Sequence, residues 1–219
     1  MESIKKSFNE CSLVFMENTM GLIETENCTI LDQWLTKAAT LDTNERQEIS
    51  QLQELLKANV LHWNEQELSL HFIGPVFSKV HYYSSSRRYN LFANRYIESQ
   101  VESVDKQDYL LFGKPDEMIA SGFREPQLPY FCFQEYKRER DPSGDPIGQV
   151  LAAMLVGQVI NQNTHPIYGC YVLGRDWYFL TLVNKHYCIS RGYDATTESI
   201  MEIFKILKTL KETVNRLTE

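Results

Sequence analysis

Residues 116–137 read DEMIASGFREPQLPYFCFQEYK, and their pattern decides how the chain is organised. The run PYFCFQEYK is rich in aromatic residues, which favour strands, and DEMIAS ahead of it is also strand-like. Between them, GFREPQLP carries the glycine and prolines of a turn. Residues 109–137 are therefore expected to form sheet containing a hairpin. Side chains along a strand alternate faces, so Glu135 and Lys137 point the same way, roughly 6.5–7 Å apart, and Tyr136 points the other way. If the strand that begins at Asp116 pairs antiparallel with the one that ends at Lys137, the loop centres near 126. Asp116 then lies beside Glu135 and Lys137, since opposite residues sit roughly 4.5–5.5 Å apart.

A carboxylate and an ammonium at the end of an apolar strand are costly to bury unless paired or bound to an ion. Two carboxylates with open water positions suit Mg²⁺, or Mn²⁺ in its place, because such ions take oxygen ligands and keep several waters. A bound ion of this kind polarises a phosphoryl oxygen, and Lys137 is placed to orient water or offset charge on a phosphate. The spacing alone is equally compatible with a surface Glu–Lys pair and a turn aspartate, because a bare (D/E)xK match is common by chance.

Outward from this stretch, Asp145-Pro146 is a helix start, an N-cap followed by proline at the first helical position. Ile147, Val150, Leu151, Met154, Leu155 and Val159 then form an apolar face. PIYGCYVLG and WYFLTLVNKHYCIS supply further strands, with Trp177, Tyr178 and Phe179 read as sheet core. A last helix is expected from about 196, with Ile200, Ile203, Phe204, Leu207, Leu210 and Val214 on its stripe. Upstream, residues 64–81 read as a helix with a kink or break at Gly74-Pro75, and 82–95 as a loop with three arginines. Residues 1–62 read as a polar helical extension without identifiable chemistry, followed by one domain over 63–219. The order predicts an α/β (α+β) protein with a mixed central sheet flanked by helices.

The 219 residues carry a formal charge of −7, which argues against tight nonspecific binding to nucleic acid but leaves room for a local basic face. Arg87, Arg88, Arg138 and Arg140 are candidates for phosphate contact; a solvated charged surface is the plainer reading. The five cysteines (Cys11, Cys28, Cys132, Cys170 and Cys188) are scattered, without a CxxC, and read as reduced thiols in a cytoplasmic protein. No apolar run is long enough to span a bilayer, so no membrane partner is expected. There is no phosphate-binding glycine loop and no nucleophile elbow, which removes kinase, NTPase and serine-hydrolase readings.

GKPDEMIA followed by PYFCFQEYK resembles the motif of the PD-(D/E)xK, or restriction-endonuclease-like, nuclease superfamily. NEQELSLHFIGPVF is similar to the N-terminal helix of nuclease domains in type I restriction subunits. Asn64, Glu65, Glu67, Phe72, Ile73 and Pro75 match that pattern, and Ser69 stands where it has arginine. GDPIGQVLAAM resembles the helix after the lysine strand. The resemblance covers about 64–190. It implies a restriction-endonuclease-like sheet flanked by helices and Mg²⁺- or Mn²⁺-dependent cleavage of nucleic acid, with DNA the expected substrate, in restriction, defence or repair. Carried over, Asp116 and Glu135 are metal ligands and Lys137 is the catalytic lysine. Glu65 completes the metal site, with Glu67 as the second choice, and Gln149 is an auxiliary residue near the substrate. The competing expectation is a nuclease-like fold kept for binding, working with a protein partner or as a homodimer.

Overall fold

The computed structural model describes residues 3–37, 39–83, 86, 88–140 and 144–218. Strand β1 (Ile4–Ser7) leads through a 3₁₀ turn (Phe8–Glu10) to helix α1 (Leu13–Asn18) and strand β2 (Ile23–Glu24). Helices α2 (Thr29–Thr36), α3 (Thr43–Asn59), α4 (Glu65–Leu68) and α5 (Gly74–Val80) follow. Strands β3 (Tyr89–Ala93), β4 (Ile97–Glu102), β5 (Asp108–Gly113), β6 (Glu117–Ser121) and β7 (Gln127–Lys137) precede helix α6 (Pro146–Ile160). Strands β8 (Ile167–Leu173), β9 (Asp176–Val183), β10 (His186–Ile189) and β11 (Tyr193–Asp194) and helix α7 (Ser199–Leu217) complete the chain.

The main sheet runs β2-β10-β9-β8-β7-β6-β3, with β11 paired to β9, and a smaller sheet runs β1-β5-β4. β7 is antiparallel to β6 and parallel to β8. A parallel neighbour requires a crossover, and α6 supplies it. The result is a mixed sheet flanked by helices. β7 is buried from Tyr130 to Lys137 because both of its faces are covered, which is why Tyr130–Phe133 reads as an unbroken apolar run and the buried Gln134, Glu135 and Lys137 stand out after it. One core lies between the main sheet and α2, α3, α5 and α7; it includes Trp34, Phe72, Phe77, Trp177 and Phe204. The other lies between the main sheet, α6, α1 and the small sheet; it includes Met16, Leu111, Phe133, Met154 and Leu180.

α6 has no solvated side along most of its length: twelve of its fifteen residues are buried. The apolar stripe in its sequence is only part of the contact, because main sheet and small sheet enclose it from opposite directions. Its start follows the Asp145-Pro146 signal, with Asp145 accepting from Gly148 N at 3.0 Å.

Four local expectations are corrected. Residues 1–62 are not all helical: β1 and β2 are strands, each paired parallel with a strand from much later in the chain. Short strands of this kind have no periodicity long enough to read. The stretch 82–95 contains β3, whose Tyr89 and Phe92 are buried against β6; the polar run before it conceals a five-residue strand. Of the kink or break expected at Gly74-Pro75 there is no break: helical turns run on from Glu65 to Val80, although not as one regular α-helix. Residues Ser69–Ile73 form a wider π turn, with Gly74 N bonded to Ser69 O, which absorbs the proline's missing N–H and its ring. Finally, Cys28 and Cys188 are not reduced thiols but a disulfide between the start of α2 and β10, spanning 160 residues of chain. Sequence spacing reveals only local pairings, so this one was not legible. Cys11, Cys132 and Cys170 are free and buried. Among the described residues, no helix is long and apolar enough to cross a membrane.

Candidate active site

The β6–β7 hairpin pairs Glu117 with Gln134 and Met118 with Phe133. One step further along, Asp116 Oδ2 accepts a hydrogen bond from Tyr136 N at 2.8 Å, so the aspartate reaches the end of β7 as the hairpin spacing required. The turn back uses Gly122, whose φ of +102° is a backbone conformation open to glycine. On the same sheet face, Lys137 Nζ donates to Glu135 Oε1 at 2.7 Å and lies 3.7 Å from Glu65 Oε1. Glu65 is held there because α4 starts at it: the Asn64 side chain accepts from Glu67 N, and the Glu67 carboxylate accepts from Asn64 N. Glu67 is thus committed to the helix cap, and Glu65 is the residue turned to the lysine.

Gln149 comes from the first turn of α6. It is buried, and its Oε1 has no hydrogen-bond partner among the described residues. Glu65, Asp116, Glu135, Lys137 and Gln149 line one cleft of about 610 Å³, whose wall is completed by Ser7, Phe8, Asn9, Asn94, Gly113, Lys114 and Gly144.

Burial pushes the Asp116 carboxyl up to about 6, against the opposing pull of the Tyr136 N–H and the Lys137 ammonium. Burial and then the neighbouring Asp116 charge push Glu135 up to about 7, although Lys137 opposes them. Burial alone would lower the Lys137 ammonium, but Glu135, Glu65 and Asp116 outweigh it and hold it raised. Three carboxylates thus face one ammonium, an imbalance that a further cation in the cleft would relieve. The oxygen donors suited to a hard divalent ion are Asp116 and Glu135, and two carboxylates with waters are a donor set that Mg²⁺ accepts. Among the described residues no group of three or more His, Cys, Asp or Glu side chains is arranged to hold a metal ion. Glu65 reaches the cluster through Lys137.

The candidate phosphate-binding arginines are not brought together here. Arg88 lies at the far end of the hairpin, where its carbonyl accepts from Gly122 N and its Nη1 donates to Thr218 O at 2.7 Å. Arg87 lies outside the described residues. Arg138 and Arg140 are exposed just past β7, and neither lines the cleft. What the sequence reading missed is the opposite wall. Ser7, Phe8 and Asn9 belong to a segment read as free of chemistry, and only the parallel pairing of β1 with β5 brings them in. Asn94 sits at a positive φ of 53° and its N–H donates to Asp116 O at 2.9 Å; Lys114 directly precedes Pro115-Asp116, the only signal that could have flagged it.

On the reverse face of the sheet, Glu117 stands opposite Gln134, buried, with its Oε2 lacking a hydrogen bond. Burial pushes its carboxyl up from 4.5 to about 7; the Tyr136 hydroxyl opposes the shift and the Asp116 charge adds to it. A raised carboxyl favours folding in its protonated form, so its stability contribution is full below the unfolded value and is lost as pH rises through about 7. Glu117→Gln is expected to raise stability at pH 8 by up to about 3 kcal/mol and to change little at pH 4. Urea denaturation at the two pH values checks this; an equal effect at both would refute the assignment.

No protein-family model matches the chain, and no curated protein sequence matches it.

Proposed function

We propose that this protein is a Mg²⁺- or Mn²⁺-dependent nuclease that hydrolyses phosphodiester bonds of nucleic acid, DNA first, on a restriction-endonuclease-like core. The observation that carries the reading is the meeting of Asp116 with the Glu135–Lys137 end of β7 inside a polar cleft. The order of elements supports it: a helix contributing Glu65, the antiparallel strands β3, β6 and β7, the α6 crossover, and β8 parallel to β7.

Asp116 and Glu135 would hold the ion, which when bound supplies charge stabilisation at a phosphoryl oxygen and a more acidic water. Lys137, steadied by Glu135 and Glu65, orients the attacking water and offsets charge gathering on the phosphate. Water oxygen forms the new bond to phosphorus and gives up a proton to solvent, the bond to the leaving sugar oxygen breaks, and that oxygen takes a proton from solvent water. Gln149 lines the same cleft from the first turn of α6 and carries a buried, unpartnered acceptor there, in keeping with an auxiliary role beside the trio.

The test combines cleavage of labelled DNA and RNA, with Mg²⁺, Mn²⁺ or a chelator, with calorimetric titration of the ion. Asp116→Asn is expected to weaken ion binding by at least about tenfold, by removing one of two charged ligands. Absence of cleavage in the unaltered protein, with or without ion uptake, would overturn the proposal. One observation favours a second reading, a nuclease-like fold kept for binding a protein partner. The Lys137 ammonium already sits on Glu135 at 2.7 Å, so the cluster is partly neutralised without an ion. That reading requires no ion uptake and a partner that stays bound.

A further inference from the structure

We propose that the cleft takes a single polynucleotide strand and not a duplex tract; this rests on the nuclease reading and names the substrate form that suits it. The first ground is depth. Glu135, Lys137 and Gln149 are only 7%, 6% and 3% exposed, and they lie behind a rim formed by the Ser7–Asn9 segment, Asn94 and Lys114. A duplex is a stiff rod that bends at substantial cost, so it cannot easily push one phosphate past a rim. A single strand turns at each nucleotide and can. The cleft's volume of about 610 Å³ gives room for a nucleotide-sized group.

The second ground is charge. Tight contact with a duplex relies on several lysines and arginines, each neutralising a phosphate. Among the described residues the rim offers one exposed ammonium, Lys114, on a protein of net charge −7. Arg88 is turned away to the C-terminal end of α7. A footprint this small suits one or two phosphates.

The third ground is unused hydrogen-bonding capacity at the mouth. The exposed side chains of Asn9, Asn94 and Lys114 make no hydrogen bond or ion pair among the described residues. Amides and an ammonium grouped around a recessed acid–lysine cluster match the sugar-phosphate backbone of one strand, Lys114 taking a phosphate next to the scissile one. They carry no preference between DNA and RNA.

The experiment follows Mg²⁺-dependent cleavage of four end-labelled substrates of one sequence: single-stranded DNA, the matching RNA, a blunt duplex, and a duplex with a single-stranded overhang. At least one single strand, and the overhang of matching chemistry, should be cut at least a hundredfold faster than the blunt duplex. Lys114→Ala should raise KM on the single strand about tenfold while kcat falls less than threefold, and Lys114→Arg should restore KM. A blunt duplex cut internally as fast as single strands would overturn the inference and leave the nuclease reading standing. An unchanged KM in Lys114→Ala would overturn the role of the rim. No cleavage of any of the four would overturn both.

Discussion

Lys137→Ala is expected to lower Mg²⁺-dependent cleavage by about 10²–10³-fold at saturating substrate, the usual cost of removing one preorganised group that meets charge developing in a transition state. Among the described residues the ammonium is the only cation within the carboxylate cluster, bonded to Glu135 at 2.7 Å and 3.7 Å from Glu65. Its removal also leaves Glu135 and Asp116 facing one another in a buried site. Uncompensated buried charge is destabilising, but Glu135, already pushed up to about 7, can take a proton and limit the cost. A melting curve at pH 6 therefore accompanies the kinetics, to separate lost chemistry from lost structure. A folded variant that cleaves at the unaltered rate would remove Lys137 from the mechanism.

Gly148→Ala is expected to destabilise the protein by about 3 kcal/mol, at the upper end of what overpacking costs. In an ordinary helix this change would stabilise by roughly 1 kcal/mol, because alanine is the better helix former. Here an added Cβ would lie 2.4 Å from Cys11 O and from Ser12 C, backbone that has no rotamer by which to withdraw. The same corner is tied by Leu13 N donating to Asp145 Oδ2 at 2.7 Å. Displacing it would shift the Phe8–Asn9 wall of the cleft, so cleavage should weaken alongside stability. Urea denaturation decides the matter: a variant more stable than its parent would show that α6 and the N-terminal segment do not meet this closely.

Some of this molecule is local chemistry and was readable as such. Alternation along PYFCFQEYK places Glu135 and Lys137 on one face, and a turn of suitable length returns Asp116 to them. The Asp145-Pro146 start and the apolar stripe of α7 are likewise written in neighbouring residues. Each of these depends on period-two or period-3.6 geometry and on caps, whose information lies within a few positions. The N-terminal wall of the cleft, the disulfide from Cys28 to Cys188 and the departure of Arg88 to the far end of the sheet depend on contacts more than a hundred residues apart, and the enclosure of α6 on both sides depends on two sheets meeting across it. Those were settled only when two separate surfaces had to bury each other, and no local pattern records which distant surface a strand or helix will meet. The same division explains the site: the hairpin brings Asp116, Glu135 and Lys137 together, whereas the Ser7–Asn9 side of the cleft exists only once β1 has paired with β5.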